Sequence, residues 1–282
     1  MALPFSKPAW ELRDKVALIT GASTGIGREL ALVLAKRGMH LGLAARGIAA
    51  LESTAAECRA LGVRVTTVPT DVSDMAQCQH FVDTAKRELG RIDLLVNNAG
   101  IGMWARVQDI QRGDALSIFE TLMRTNYLGS VWTTHAALPS LIASRGLIVA
   151  ISSLTGKAGV PTRSGYAASK HAMQGFFDSL RIELKDQGVD VSVISPGFVA
   201  TDIRSRGFGS DGKPRGESPR DEAKGTMSVS TCVDLIVRAI ERREREVVMT
   251  AKAKVGMWVK LVAPGLVDKM AARAVREKTH EG

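Results

Sequence analysis

Thr20-Gly21-Ala22-Ser23-Thr24-Gly25-Ile26-Gly27 is the stretch on which the reading of this chain turns. It follows a short β-branched run, Val16–Thr20. It opens a segment, 27–37, in which Leu30, Ala31, Leu34 and Ala35 recur at three- and four-residue spacing, the signature of one buried helix face. A glycine-rich turn between a strand and a helix lets backbone approach a pyrophosphate closely, and the helix N-terminus supplies N–H donors and a positive dipole end. The spacing is G-x3-G-x-G rather than G-x-G-x-x-G, so its place directly after the first strand carries the argument. Gly21, Ser23, Thr24, Gly25, Ile26 and Gly27 are read as the phosphate end of a dinucleotide site.

Outward from that turn, short apolar runs alternate with amphipathic stretches almost to the end of the chain. The runs are His40–Ala45, 64–69, Leu94–Asn97, 147–152, 189–195 and 246–250. Between them lie helical patterns such as 74–89, with Met75, Cys78, Val82 and Ala85 on one face. Short, continuously apolar strands separated by helices are buried on both faces of a parallel sheet, and right-handed crossovers make that sheet doubly wound. The alternation predicts a single-domain α/β Rossmann fold over 1–250, with about seven strands and helices on both faces. A separate tail covers 251–282. One polar interruption, 204–226, carries Gly207, Gly209, Gly212, Gly216, Gly225, Pro214 and Pro219. A loop of that length inside a compact domain reads as a lid.

Composition narrows the function classes. Hydrophobic residues make up 45% and charged residues 24% of 282, ordinary for a globular protein with a sizeable core. Cys58, Cys78 and Cys232 match no metal or disulfide spacing, and five scattered histidines offer no zinc pair, so no metal site is expected. The first ten residues contain Pro4 and Pro8 but no apolar signal core, and no run reaches the roughly 18 apolar residues of a spanning helix. A reducing, cytoplasmic setting is the expectation. The net charge of +9 comes without a nucleic-acid recognition motif, so nucleic acid is not expected as a partner.

The end of the second run decides which dinucleotide fits. It reads Leu43-Ala44-Ala45-Arg46-Gly47, and the nearest acid is Glu52. A carboxylate there would bond a ribose 2′-hydroxyl, whereas an arginine pairs with a 2′-phosphate. Arg46 therefore favours NADP(H), with NAD(H) as the second choice, and Arg28 is placed to assist. Asp71-Val72 follows the third run, where Asp71 either accepts from an adenine amine or caps the helix starting near Ser73. Asn97-Asn98-Ala99-Gly100 ends the fourth. Amides there hold neighbouring backbone, and Ala99-Gly100 admits a flat ring.

Tyr166 and Lys170 stand four apart on a predicted helix, so phenol and ammonium share one face. A free tyrosine has a pKa near 10, too high for a base at neutral pH, and a nearby cation lowers it. Ser153, thirteen residues upstream, is placed to orient a carbonyl, with Ser152 its competitor and Thr155 more distant. Asn126 lies in a helical stretch where a buried amide needs a partner. It is read as the holder of a water that feeds protons to Lys170.

Taken together, the glycine turn, Asn97-Asn98-Ala99-Gly100, Asn126, Ser153, Tyr166-x3-Lys170 and Ser195-Pro196-Gly197 resemble the short-chain dehydrogenase/reductase family over 14–250. The resemblance implies Tyr166 as acid/base, Ser153 as substrate orienter, Lys170 as ribose-bound activator and Asn126 as water holder. It places Pro196, Gly197, Val199 and Thr201 at the nicotinamide end and implies a homodimer or homotetramer. Arg46 matches a basic position of NADP-preferring members. Thr24 departs from them, because many carry a basic residue there.

The implied reaction is reversible hydride transfer between a nicotinamide and a ketone, aldehyde or secondary alcohol. Met103, Trp104, Leu154 and Phe198, with Ile101 and Val160, are the expected substrate lining, which suggests an apolar small molecule. In 252–278 seven basic residues face two acids. Val255, Trp258, Val259 and Val262 form one stripe, and Leu266, Met270 and Ala274 another, on either side of Pro264-Gly265. That pattern fits a pair of interfacial helices, so peripheral membrane contact is weighed against packing on the protein itself. The tail also resembles those of membrane-associated short-chain reductases, including the dehydrogenase/reductase member 7 group.

Overall fold

Seven parallel strands lie in the order β3-β2-β1-β4-β5-β6-β7 in the computed structural model, which describes residues 9–217 and 226–276. The strands are β1 (Val16–Thr20), β2 (His40–Ala45), β3 (Val65–Pro69), β4 (Leu94–Asn97), β5 (Leu147–Ile151), β6 (Asp190–Ser195) and β7 (Glu246–Val248). Helices connect them: α1 (Gly25–Lys36), α2 (Ile48–Arg59), α3 (Met75–Leu89), α4 (Ser117–Leu122), α5 (Gly129–Ser144), α6 (Ser164–Glu183) and α7 (Val229–Arg242). The tail folds as α8 (Ala251–Val262) and α9 (Pro264–Arg276). The strand order reverses between β1 and β4, and the crevice beyond their carboxyl ends is where such sheets take ligands.

Both sheet faces are covered, which explains the unbroken apolar strands. β1, β4 and β5 are buried at every position. On one face Leu30, Leu34, Leu41, Leu43, Ile236 and Ile240 join a core with α1 and α7. On the other, Phe81, Leu95, Leu141, Ile148, Met173 and Phe177 do so with α3, α5 and α6.

Local chemistry sets the element ends. Asp74, not Asp71, caps α3: its carboxylate accepts from Ala76 N and Gln77 N, and Gly90 at φ 86° turns the chain out of the helix. β7 stops two residues short of the expected run because Thr250 becomes the N-cap of α8, accepting from Ala253 N at 3.2 Å. Asn126 falls in a π-helical turn, Met123–Leu128, between α4 and α5. Such widened turns recur at functional sites.

The segment from 204 onward is tied down by backbone bonds as far as it is described. Phe208 N donates to Gly102 O, Trp104 N to Phe208 O, and Gln111 N to Ser210 O. Residues 218–225, including Pro219 and Gly225, lie outside the described residues. In the tail α8 contains no buried residue, and Trp258 and Leu261 are each 75% exposed. Lys260 Nζ nevertheless donates to Lys157 O at 2.8 Å, holding α8 beside the turn that follows β5. Among the described residues no helix is long and apolar enough to cross a membrane.

Candidate active site

The phosphate turn is shaped by backbone. Gly21 and Gly25 have φ of 67° and 56°, a region that side chains disfavour. Gly27 is held by proximity: a Cβ there would land on the Gly21 carbonyl oxygen and 2.5 Å from Asn98 Nδ2. Asn98 fastens this turn to β4, donating to Thr20 O at 2.9 Å and Gly21 O at 3.2 Å. Thr20 Oγ1 accepts in return from Asn98 N and Ala99 N. Thr24 caps α1 in an extended conformation, yet its hydroxyl takes no bond from the helix amides, and the first turn of α1 has no acid. The donor end of α1 is therefore open to an anion.

A cleft of about 430 Å³ runs over this turn. It is lined by Gly21, Ser23, Thr24, Gly25, Ile26, Arg46, Asp71, Val72, Asn98, Ala99, Gly100 and Thr201, while Gly27 packs beneath it. Two expectations change here. Arg28 is turned away into a two-pronged pair with Glu57 at 2.7 and 2.8 Å. Asp71 caps nothing helical; one carboxylate oxygen accepts from Ser73 N and Ser73 Oγ, tying down the turn ahead of α3. Arg206 also lines the cleft and was not signalled by any motif.

The adjoining cavity, about 100 Å³, holds Ser153, Tyr166 and Lys170 with Pro196, Gly197 and Val199. Tyr166 and Lys170 stand one turn apart in the first half of α6, 7% and 3% exposed. Ser153 accepts from Thr155 N at 3.2 Å and lines the same cavity as Tyr166. Ser152 instead turns its hydroxyl to Lys170 O at 3.5 Å, which separates the two candidates.

Asn126, fully buried, accepts from Ile101 N at 2.8 Å and donates to Ile101 O and Ser169 Oγ. Both amide hydrogens are thereby engaged. The side chain braces the loop after β4 against α6, so a water would have to be met by its carbonyl oxygens.

The charges differ from the expected arrangement. Burial raises the Tyr166 phenol, against the lowering influence of the Arg163 guanidinium and the Ser153 hydrogen bond. Burial also brings Lys170 down to about 7. Lys170 Nζ donates to Ile151 O at 2.9 Å and lies 5.9 Å from the Tyr166 ring centroid. The cation that acts on the phenol here is Arg163, stacked 3.5 Å from the Trp104 ring centroid and 5.7 Å from that of Tyr166.

The substrate lining also differs. Phe198 lines the cavity, with Arg163, Ile203 and Arg204. Met103, Trp104 and Leu154 do not. Met103 is fully buried in a cluster with Ile118, Leu122 and Tyr166, and it bridges to Phe208. Trp104 lies under Arg163, and Leu154 is fixed through its N–H to Pro196 O. The wall is mixed, two arginines among apolar side chains, rather than apolar throughout.

Comparison with known proteins identifies the family and the fold. A family model described as short chain dehydrogenase matches residues 15–208. Dehydrogenase/reductase SDR family member 7B of Bos taurus is 36% identical over 276 residues, 95% of this chain and 83% of that protein. The 11-beta-hydroxysteroid dehydrogenase 1A of Arabidopsis thaliana is 39% identical over 266 residues, 91% of this chain and 74% of that protein. Among solved structures, a short-chain dehydrogenase/reductase from Burkholderia phymatum in complex with NAD superposes with a TM-score of 0.78 at 28% identity, covering 91% of this chain and 96% of that one. An alcohol dehydrogenase from Thermococcus sibiricus complexed with 5-hydroxy-NADP gives 0.72 at 28%, covering 83% and 94%.

Proposed function

We propose, from the premise that the chain belongs to the short-chain dehydrogenase/reductase family, that it is an NADP(H)-preferring oxidoreductase in which Tyr166 exchanges a proton with the substrate oxygen. The observation that carries this reading is the buried Tyr166, sharing one cavity with the half-buried Ser153, at the end of a cleft whose glycine turn a Cβ would fill. When bound, a nicotinamide supplies the hydride donor or acceptor. The proton steps belong to the chain's own side chains. In reduction the Tyr166 hydroxyl gives its proton to the carbonyl oxygen as that oxygen becomes an alcohol. In oxidation the phenolate takes the alcohol's proton back. Ser153, in the same cavity as Tyr166, aligns the same oxygen, and Lys170 and Asn126 hold the site's polar frame.

The named structures hold NAD in one case and a modified NADP in another, so cofactor preference rests on Arg46, which lines the cleft at the end of β2 where no acid follows before Glu52. The substrate is a ketone, aldehyde or secondary alcohol. Rates with NADPH and NADH against a panel of carbonyls, for wild type and Tyr166→Phe, test the reading. Tyr166→Phe should lose about 10³-fold in kcat while binding cofactor normally. Full activity in that variant refutes the mechanism, and faster turnover with NADH refutes the role of Arg46.

The tail supports a second element of the proposal, contact with an anionic membrane surface. Val255, Trp258, Leu261, Val262, Leu266 and Met270 are each more than half exposed, with Lys252, Lys254 and Lys269 beside them. A second copy would bring like charges together, whereas anionic headgroups complement them. Vesicles containing phosphatidylserine should pellet the intact chain but not one ending at residue 250. Equal pelleting of both removes the idea.

A further inference from the structure

Arg206 belongs to the segment after β6, yet it lines the nucleotide cleft beside Thr24, Gly25 and Arg46. That segment rests directly on the phosphate turn. The Thr201 methyl carbon faces Gly25, 3.2 Å from where a Cβ would stand, and Arg206 Nη1 donates to Thr24 Oγ1 at 3.3 Å. Nη2 donates to Asp202 Oδ2 at 3.1 Å, and Arg206 N donates to Asp202 O at 3.0 Å.

This is an unusual place for a cation. Thr24 is the N-cap of α1, and the start of a helix carries partial positive charge that favours anions. No acid occupies the first turn of α1, and the Thr24 hydroxyl leaves the helix amides open. Arg46 adds a second guanidinium to the same cleft. Asp202 answers Arg206 only from a well-exposed ion pair, the two side chains being 67% and 56% accessible, and such pairs hold weakly. An anion between the guanidinium and the helix start satisfies both at once, and a two-pronged arginine suits a phosphate.

We propose that Arg206 is a phosphate clasp, binding a phosphate of the dinucleotide together with the amide end of α1. The inference rests on the nucleotide reading above and adds to it a residue from the far end of the chain. It also links the two pockets, because Ile203 and Arg204 of the same turn line the catalytic cavity. The shared chemistry is a phosphate ester, and its source is either the pyrophosphate common to both nicotinamide dinucleotides or the 2′-phosphate of NADP(H).

Fluorescence titration of NADPH and NADH into wild type, Arg206→Ala and Arg206→Lys separates these cases without reference to turnover. Arg206→Ala should weaken binding about tenfold, with Arg206→Lys intermediate because it keeps charge but loses the fork. A loss confined to NADPH identifies the 2′-phosphate, and an equal loss with both identifies the pyrophosphate. Since Arg206 is exposed, thermal melting should be unchanged in both variants. Wild-type affinity for both nucleotides in Arg206→Ala overturns the clasp and leaves the nucleotide reading standing. A wild type that binds neither nucleotide overturns both.

Discussion

The two ends of the cleft are built from different materials. At the nucleotide end the shape is made by backbone: Gly21 and Gly25 take positive φ, Gly27 leaves room for a carbonyl, and Asn98 fastens one strand end to the next. Its guanidinium groups, on Arg46 and Arg206, are exposed in the cleft, which Asp71 and Asp202 also line. At the catalytic end the shape is made by side chains packed out of water, and the charges there are buried. Lys170 is 3% exposed, Arg163 9% and Tyr166 7%. The difference teaches that the first end is governed by steric room and the second by the energy of charge in a low-dielectric space. Perturbing each should therefore give distinguishable failures.

The largest loss of nucleotide affinity is expected from Gly27→Ala. Its added methyl would meet the Gly21 carbonyl and Asn98 Nδ2, neither of which can yield without deforming the turn. Overpacking of this kind costs about 2 kcal/mol or more, and here the deformation also removes the nucleotide's seat. Affinity for both nicotinamide dinucleotides should fall by at least about 100-fold by titration. Gly42→Ala is the contrasting variant, since its methyl meets Leu18 and Ala85 inside the core. It should lower the melting temperature while leaving nucleotide affinity within about twofold. If Gly27→Ala binds as wild type, the nucleotide end is not sterically governed.

Lys170→Met sharpens the other side of the comparison. The native lysine is brought down to about 7, against 10.5 for an ordinary lysine. Below 7 both native and unfolded states hold the proton, and the cost of the buried ammonium is present in full. Between 7 and 10.5 the unfolded chain keeps a proton that the native state lacks, so raising the pH relieves the cost. Wild type should therefore gain stability relative to Lys170→Met by roughly 2–3 kcal/mol from pH 7 to pH 9. Denaturant unfolding of both proteins at the two pH values measures it. A difference that is flat with pH would show that Lys170 is charged throughout. Activity of the variant should fall about 100-fold, since the polar frame at Ile151 O is lost.

The same division explains how much of the molecule is legible in its sequence. The glycine turn, the alternating strands and the Tyr166–Lys170 face depend on local spacing, so they were legible. Seven parallel strands and Asn98 as a backbone clip followed directly. Side chains recruited from afar were not legible. Arg206 reaches Thr24 across 182 residues, and Arg163 finds Trp104 only because the loop after β4 folds over α6. Met103 and Trp104 show a third limit. An apolar residue at a strand's carboxyl end looks the same whether it walls a pocket or fills the space behind it. Here the backbone ladder with Phe208 draws Met103 inward. Arg28 failed for an equally local reason: one turn into α1 it meets Glu57 on α2.

The smallest effect is expected at Arg163, and it is the one that tests whether the catalytic end is truly electrostatic. Desolvation pushes the Tyr166 phenol up, Arg163 pulls it down, and the Ser153 hydrogen bond pulls in the same direction. Arg163→Met keeps an apolar stem over Trp104 and removes the positive charge. The phenol should then ionise at higher pH than in wild type. In alcohol oxidation, where the phenolate is the base, the rising limb of kcat/KM against pH should move to higher pH. In carbonyl reduction, where the neutral phenol is the acid, the falling limb should move the same way. At pH 7 the oxidation rate should drop by less than about tenfold, while reduction is nearly unchanged. Arg163→Lys should restore much of the wild-type profile, because it restores charge without the planar stack. A purely structural role for Arg163 would lower both directions together and leave the limbs where they are. That result would mean that the phenol's neighbours set its shape but not its acidity.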